Sequence, residues 1–316
     1  MAAESPRKMK EGTYENVEVG EKFGPIEVVI TDHKIKAHAF SLDDYNPWAF
    51  SETSPFGGRI GQAAILNNDL LTTFLSVYDP NSIVGLHTEE QLWFHSPVRF
   101  GEKATLIGQY VDKYEKRGKG YVVLEAEARG EDGRLLVKHR GVEIMRIAPG
   151  PVVGGGTAKG SEERRVTGEY RRDLQPVAKA QLGLRARTPI APLVKHVTQE
   201  QMSVFSGIGR HNQNIHTSIA IARAGGLERC LAQGMMETCY LTELLASFFG
   251  ASWYTSGWER MKFINPVYAG DTVTARGAVL EETTEAGGTR LNLEVWVENQ
   301  DGKMTAAGWA SALVQG

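Results

Sequence analysis

Only two of the 316 residues are cysteine, Cys230 and Cys239. Two thiols cannot build a disulfide framework or a four-Cys zinc site, and such sparing use fits a reducing compartment. Charge of neither sign dominates: 35 Lys and Arg stand against 38 Asp and Glu, a net −3. That near-balance argues against broad electrostatic capture of nucleic acid. No run approaches the ~20 apolar residues that a membrane-spanning helix needs. The N-terminal MAAESPRKMKEG has charge but no apolar core, so it does not read as a signal peptide. No G-x-G-x-x-G or P-loop occurs, so no nucleotide cofactor is implied. His33 and His38 have no third ligand nearby in sequence, so no metal is expected. What is present is an ordinary globular composition, 41% hydrophobic and 23% charged, with the cytoplasm as the expected location.

The chain repeats itself. Phe94-His95-Ser96-Pro97-Val98-Arg99-Phe100-Gly101-Glu102 returns as Phe263-Ile264-Asn265-Pro266-Val267-Tyr268-Ala269-Gly270-Asp271, and Pro97 and Pro266 stand 169 residues apart. Asp132-Gly133-Arg134 returns as Asp301-Gly302-Lys303 at the same spacing of 169. Gln62 and Gln233 are 171 apart, and Phe40-Ser41 and Phe205-Ser206 are 165 apart. Markers that keep their order and nearly their spacing imply duplication. Between the copies, Pro149 to Gly160 is rich in Gly and Pro and is followed by a charged stretch, a composition that reads as linker. The expected division is 10–148, linker 149–185, and 186–316.

Both halves share one plan: a short extended segment, a polar loop, a helix, then strands split by turns. Leu231, Met235, Met236, Tyr240, Leu244, Leu245, Phe248 and Phe249 draw an apolar stripe on a helix, as do Ala63, Leu66, Leu70, Leu71 and Phe74. Strand-like runs cover 104–111, 120–128, 135–147, 272–280, 289–297 and 304–313, with Asp-Gly pairs as hairpin turns. One helix and an antiparallel meander, twice over, is an α+β architecture.

Two loops carry a family pattern. The second half reads Gln213-Asn214-Ile215-His216-Thr217, then Ala232-Gln233-Gly234-Met235-Met236. The first reads Asp44-Tyr45-Asn46-Pro47-Trp48-Ala49, then Phe56-Gly57-Gly58. With the Phe94 and Phe263 segments, this set resembles the MaoC-like dehydratase and R-specific enoyl-CoA hydratase family. The resemblance covers most of the chain. It implies two tandem hotdog units, each an antiparallel sheet wrapped around one long central helix, paired within the chain as a pseudo-dimer that leaves homo-oligomers open. It further implies hydration of an enoyl thioester, or the reverse dehydration. Coenzyme A or acyl carrier protein would belong to the substrate, so no separate cofactor is implied. In the family an Asp and a His on one loop move the protons, and a backbone N–H at the helix start polarises the thioester carbonyl.

Carried over by position, His216 takes the place of the catalytic His, and His211, a further catalytic candidate as an orienting or carbonyl-binding partner, stands where the Asp is expected. In the first half Asp44, Asn46 and Pro47 match, and Ala49 replaces the His. Neither half keeps the full dyad, so the second is the expected site and the first a structural partner. Glu237, in the first turn of an apolar helix, either supplies the missing acid or only complements the helix N-terminus. Gly234, Gln233, Asn214 and Arg210 are the candidate substrate-binding residues. Asp69, beside Asn67 and Asn68, is a weaker candidate for the acid. Trp93, Trp253, Tyr254 and Trp258 line an acyl tunnel or belong to the core. Three readings of function stay open at this point: a hydro-lyase on an acyl thioester, a hotdog thioesterase, and a non-catalytic acyl-thioester-binding module.

Overall fold

The computed structural model describes residues 9–80, 85–145, 165–207, 213–224 and 226–314. The first unit runs β1 (Lys10–Glu11), β2 (Lys22–Val29), α1 (Asp32–Leu42), α2 (Asn67–Leu71), β3 (Tyr78–Asp79), β4 (Leu86–Phe94), β5 (Lys103–Lys116), β6 (Lys119–Arg129) and β7 (Leu135–Met145). The second runs β8 (Leu193–His196), α3 (Gln199–Phe205), α4 (Ile219–Ala224), α5 (Gly234–Phe249), α6 (Ala251–Ser256), β9 (Trp258–Phe263), β10 (Thr272–Glu285), β11 (Gly288–Asn299) and β12 (Met304–Val314).

Ten strands form one antiparallel sheet in the order β2-β5-β6-β7-β4-β9-β12-β11-β10-β8. The order is nearly palindromic about the β4–β9 seam, as duplication requires. At that seam Gln91 pairs with Arg260, the residue 169 positions later, so a pseudo-twofold axis passes through this pair. Even the irregularities are copied. The β5–β6 ladder shifts between Tyr110 and Asp112, and the β10–β11 ladder between Val279 and Glu281, again 169 residues on. Both Asp-Gly turns behave as their composition demands: Gly133 and Gly302 take φ of 78° and 73°, which a side chain resists.

The second unit's central helix is α5, sixteen residues of which thirteen are buried. A helix apolar on all sides must lie inside its sheet, and every stripe residue from Met235 to Phe249 does. The first unit departs from the expectation of one long helix per unit. Its α2 has five residues and passes into a 3-10 turn, Thr72–Ser76. Asn67, Asn68, Thr72 and Thr73 are weak helix formers whose side chains prefer other partners. Asn68 Nδ2 donates to the Phe205 carbonyl at 3.0 Å, Asn67 reaches Cys239 Sγ at 3.8 Å, and Thr72 Oγ1 bonds back to the Asn68 carbonyl at 2.7 Å. The shortened helix thus gives Asn67 and Asn68 to the other unit.

Residues 165–185, assigned to linker by composition, lie along the second unit. The Thr167 and Gly168 N–H groups both donate to Glu294 at 2.6 Å, and Ala180 N–H donates to the Phe248 carbonyl at 2.9 Å. Among the described residues no helix is long and apolar enough to cross a membrane.

Candidate active site

The loop ahead of α5 is built by one asparagine. Asn214 Oδ1 accepts from the His216 N–H at 2.8 Å, and Asn214 N–H donates to Thr217 Oγ1 at 3.1 Å. Such a side-chain turn fixes a short loop without help from a sheet. Gln199 on α3 adds a hydrogen bond to the His216 carbonyl at 2.9 Å. The loop is then sewn to the segment before the helix, with Leu231 N–H donating to the Ile215 carbonyl at 3.1 Å.

The His216 ring is held in return. Its Nδ1 lies 2.6 Å from the Leu231 carbonyl oxygen. A carbonyl only accepts, so Nδ1 carries the proton and Nε2 keeps its lone pair. Burial lowers the imidazole pKa below its usual 6.5, against the opposing Leu231 hydrogen bond, so the ring is neutral at pH 7. The geometry produces an oriented base.

Three residues after Leu231, α5 begins. The Gln233 side chain donates to Ser206 Oγ at 3.0 Å and does not cap the helix. Its first N–H groups and its dipole can therefore receive an oxyanion. Gly234 is required here by space: an added Cβ would meet the Phe263 ring on β9 at 2.9 Å. Three residues on, Glu237 is 3% exposed, beside Thr305 of β12, and burial pushes its carboxyl pKa up to about 8. Its Oε1 has no hydrogen-bond partner among the described residues. Glu237 and His216 do not bond to each other; burial and Leu231 set the one, burial and Thr305 the other. His211 and Arg210 lie outside the described residues.

The first unit repeats the stitch without the base. Ile60 N–H donates to the Trp48 carbonyl at 3.0 Å, as Leu231 does to Ile215, and the next residue is Ala49 where the second unit has His216. The Ala49 carbonyl is taken by Arg59 Nε at 3.1 Å and Nη2 at 2.9 Å. Around this loop the Trp48, Phe56 and Tyr254 rings pack with centroids 5.7–6.2 Å apart. Asn46 Nδ2 donates to the Tyr254 hydroxyl at 3.1 Å, and Asp44 accepts from the Asn46 N–H at 3.1 Å, both loop-building roles. Asp69 pairs with Lys34 at 2.7 Å inside the first unit. Trp253 is fully buried between Phe94 and Phe249, in the core.

Two sets of polar residues were not anticipated. Lys195, 4% exposed, reaches the Asp43 carbonyl and Glu243, each at 2.7 Å, and so ties the units together. Half-buried His87 and buried Glu90 and His139 form a group in the first unit. A β-bulge hides the latter from sequence reading. His87 pairs with Glu143 and Glu89 with Val142, leaving Thr88 as the extra residue that turns His87 to the Glu90 face.

Residues 183–306 match the family model of the MaoC like domain. Solved structures similar to this chain include a MaoC-like dehydratase, with TM-score 0.73 at 14% identity, over 94% of this chain and 98% of that one. A conserved hypothetical protein from Mycobacterium tuberculosis, described as having a double hotdog fold, gives TM-score 0.64 at 14% identity, over 95% and 98%. The full-length peroxisomal multifunctional enzyme type 2 from Drosophila melanogaster gives 0.61 at 18% identity, over 91% of this chain and 48% of that one. No curated protein sequence matches the chain. The chain has the double hotdog fold, and residues 183–306, most of its second unit, match the MaoC like domain.

Proposed function

We propose that this chain, with its MaoC-like second unit, is a hydro-lyase adding water to an enoyl thioester of coenzyme A or acyl carrier protein, or removing it from the 3-hydroxyacyl form. The observation that carries the reading is the His216 tautomer: Nδ1 is committed to the Leu231 carbonyl at 2.6 Å, and Nε2 is left as a base beside the start of α5. In the hydration direction Nε2 takes a proton from water as its oxygen bonds to C3. Electron density moves to the thioester oxygen, where the N–H groups around Gly234 and the helix dipole stabilise it. A proton then joins C2. Glu237, whose carboxyl burial keeps protonated at neutral pH, serves as the donor in this scheme, and afterwards the imidazolium gives its proton to water while the carboxylate takes one back from water. Asn214 and Gln233 hold the loop and the helix start in register, and no cofactor takes part.

The scheme requires His216 neutral and Glu237 protonated. The rate of trans-2-enoyl-CoA hydration should therefore rise to a plateau from the acid side, below 6.5, and fall again near pH 8. In Glu237→Gln the alkaline limb should vanish together with most of the rate. Retention of both limbs in that variant would remove Glu237 from the mechanism. Release of free thiol at the hydration rate would replace the hydro-lyase reading with a thioesterase. Tight enoyl-CoA binding without any turnover would leave a binding module.

A further inference from the structure

We propose that the first unit binds a divalent transition-metal ion of the Zn2+ class between His87 and Glu90 of β4 and His139 of β7. One nitrogen from each imidazole and one carboxylate oxygen lie within 4.8 Å of one another. The inference is independent of the hydro-lyase reading.

The backbone assembles this group at some cost. Glu90 and His139 face inward from adjacent strands, with Glu90 Oε1 and His139 Nε2 3.1 Å apart and both side chains fully buried. Regular alternation from Glu90 would point His87 outward; the Thr88 bulge brings it to the same face. Once there, neither His87 Nδ1 nor Nε2 has a partner among the described residues, and His139 Nδ1 and Glu90 Oε2 are also unsatisfied. An unmet buried polar atom costs roughly 1–3 kcal/mol, and an ion taking one atom from each residue would satisfy up to three of these four.

The donor chemistry selects that occupant. Two imidazoles and one carboxylate match the three-ligand sets of zinc and similar ions, whereas Mg2+ and Ca2+ prefer oxygen alone. A neutral imidazole offers a metal its lone pair without first losing a proton. Glu143, opposite His87 in the ladder, is a second buried carboxyl beside this group. Bonds of about 2.0–2.2 Å would draw the three ligand atoms together by roughly 1 Å, within the reach of side-chain rotation. The His87 ring lies 5.1 Å from Phe263, the ring that packs on Gly234, so the ion would sit one aromatic ring away from the start of α5.

The test uses the full, untagged chain stripped of metal with a chelator, then titrated with Co2+ and challenged with Zn2+. One Co2+ per chain should bind and be displaced by Zn2+. X-ray absorption of the Zn2+ form should show two imidazoles and one oxygen at about 2.0–2.2 Å. His87→Ala and Glu90→Gln should each weaken binding at least ~100-fold. Should either variant fail to fold, the wild-type spectrum decides alone. No uptake by the wild-type chain, fewer than two imidazoles on the metal, or unchanged binding in folded His87→Ala would overturn the site.

Discussion

Replacing Glu237 by Gln should make the protein more stable at pH 8 while leaving it nearly unchanged at pH 5. The carboxyl is 3% exposed, and its pKa is raised from 4.5 to about 8, chiefly by burial. Its folded pKa exceeds its unfolded one, so the folded state binds the extra proton. The neutral acid is accommodated fully below pH 4.5, and stability is lost as pH rises through about 8. At about 1.4 kcal/mol per unit, the loss approaches roughly 4 kcal/mol by pH 8. Gln has nearly the shape of the protonated acid and does not titrate. Subtracting wild-type from variant stability at each pH isolates Glu237, because Glu143, Glu243 and Glu259, also shifted upward, are common to both chains. Urea unfolding in steps from pH 5 to pH 9 should show a difference near zero at the acid end, growing by several kcal/mol toward the alkaline end. Parallel curves across the range would refute the claim that Glu237 is held protonated, and the proton donor would go with it.

Gly234→Ala should destabilise the fold by about 1–3 kcal/mol, the usual cost of overpacking, because the new methyl meets Phe263 at 2.9 Å. Thermal unfolding measures the loss, and Phe263→Leu in the same chain should restore part of it. Ala49→His should create no second active centre: position 49 is buried, and its carbonyl is committed to Arg59. The enoyl-CoA hydration rate of that variant should not exceed that of the wild type, and any gain would show the first unit to be catalytically competent.

The duplication was legible because turns and prolines advertise themselves. The spacing of 169 residues between the Pro97 and Pro266 segments reappears as the Gln91–Arg260 pair on the pseudo-twofold axis. The long apolar stripe also identified α5, thirteen of whose sixteen residues are buried. What could not be read depends on three-dimensional partners. The brevity of α2 follows from Asn67 and Asn68 finding acceptors in the other unit. The inward turn of His87 follows from a bulge, and counting by twos along a strand cannot detect an extra residue. Lys195 looks like any strand lysine until Asp43 and Glu243 arrive from distant segments. At the candidate site, the loop motif singles out His216, whereas the tautomer on which its proposed role rests depends on the Leu231 carbonyl, fifteen residues away.

Hydration of trans-2-enoyl-CoA by wild type and by His216→Ala, with both shown to be folded by thermal unfolding, tests the central claim most directly. Loss of the oriented base should lower turnover by at least ~100-fold, the size usual for general base catalysis, with the melting transition retained. Equal turnover in the two proteins would contradict the account, and so would a variant that loses its fold while its remaining folded fraction keeps full specific activity.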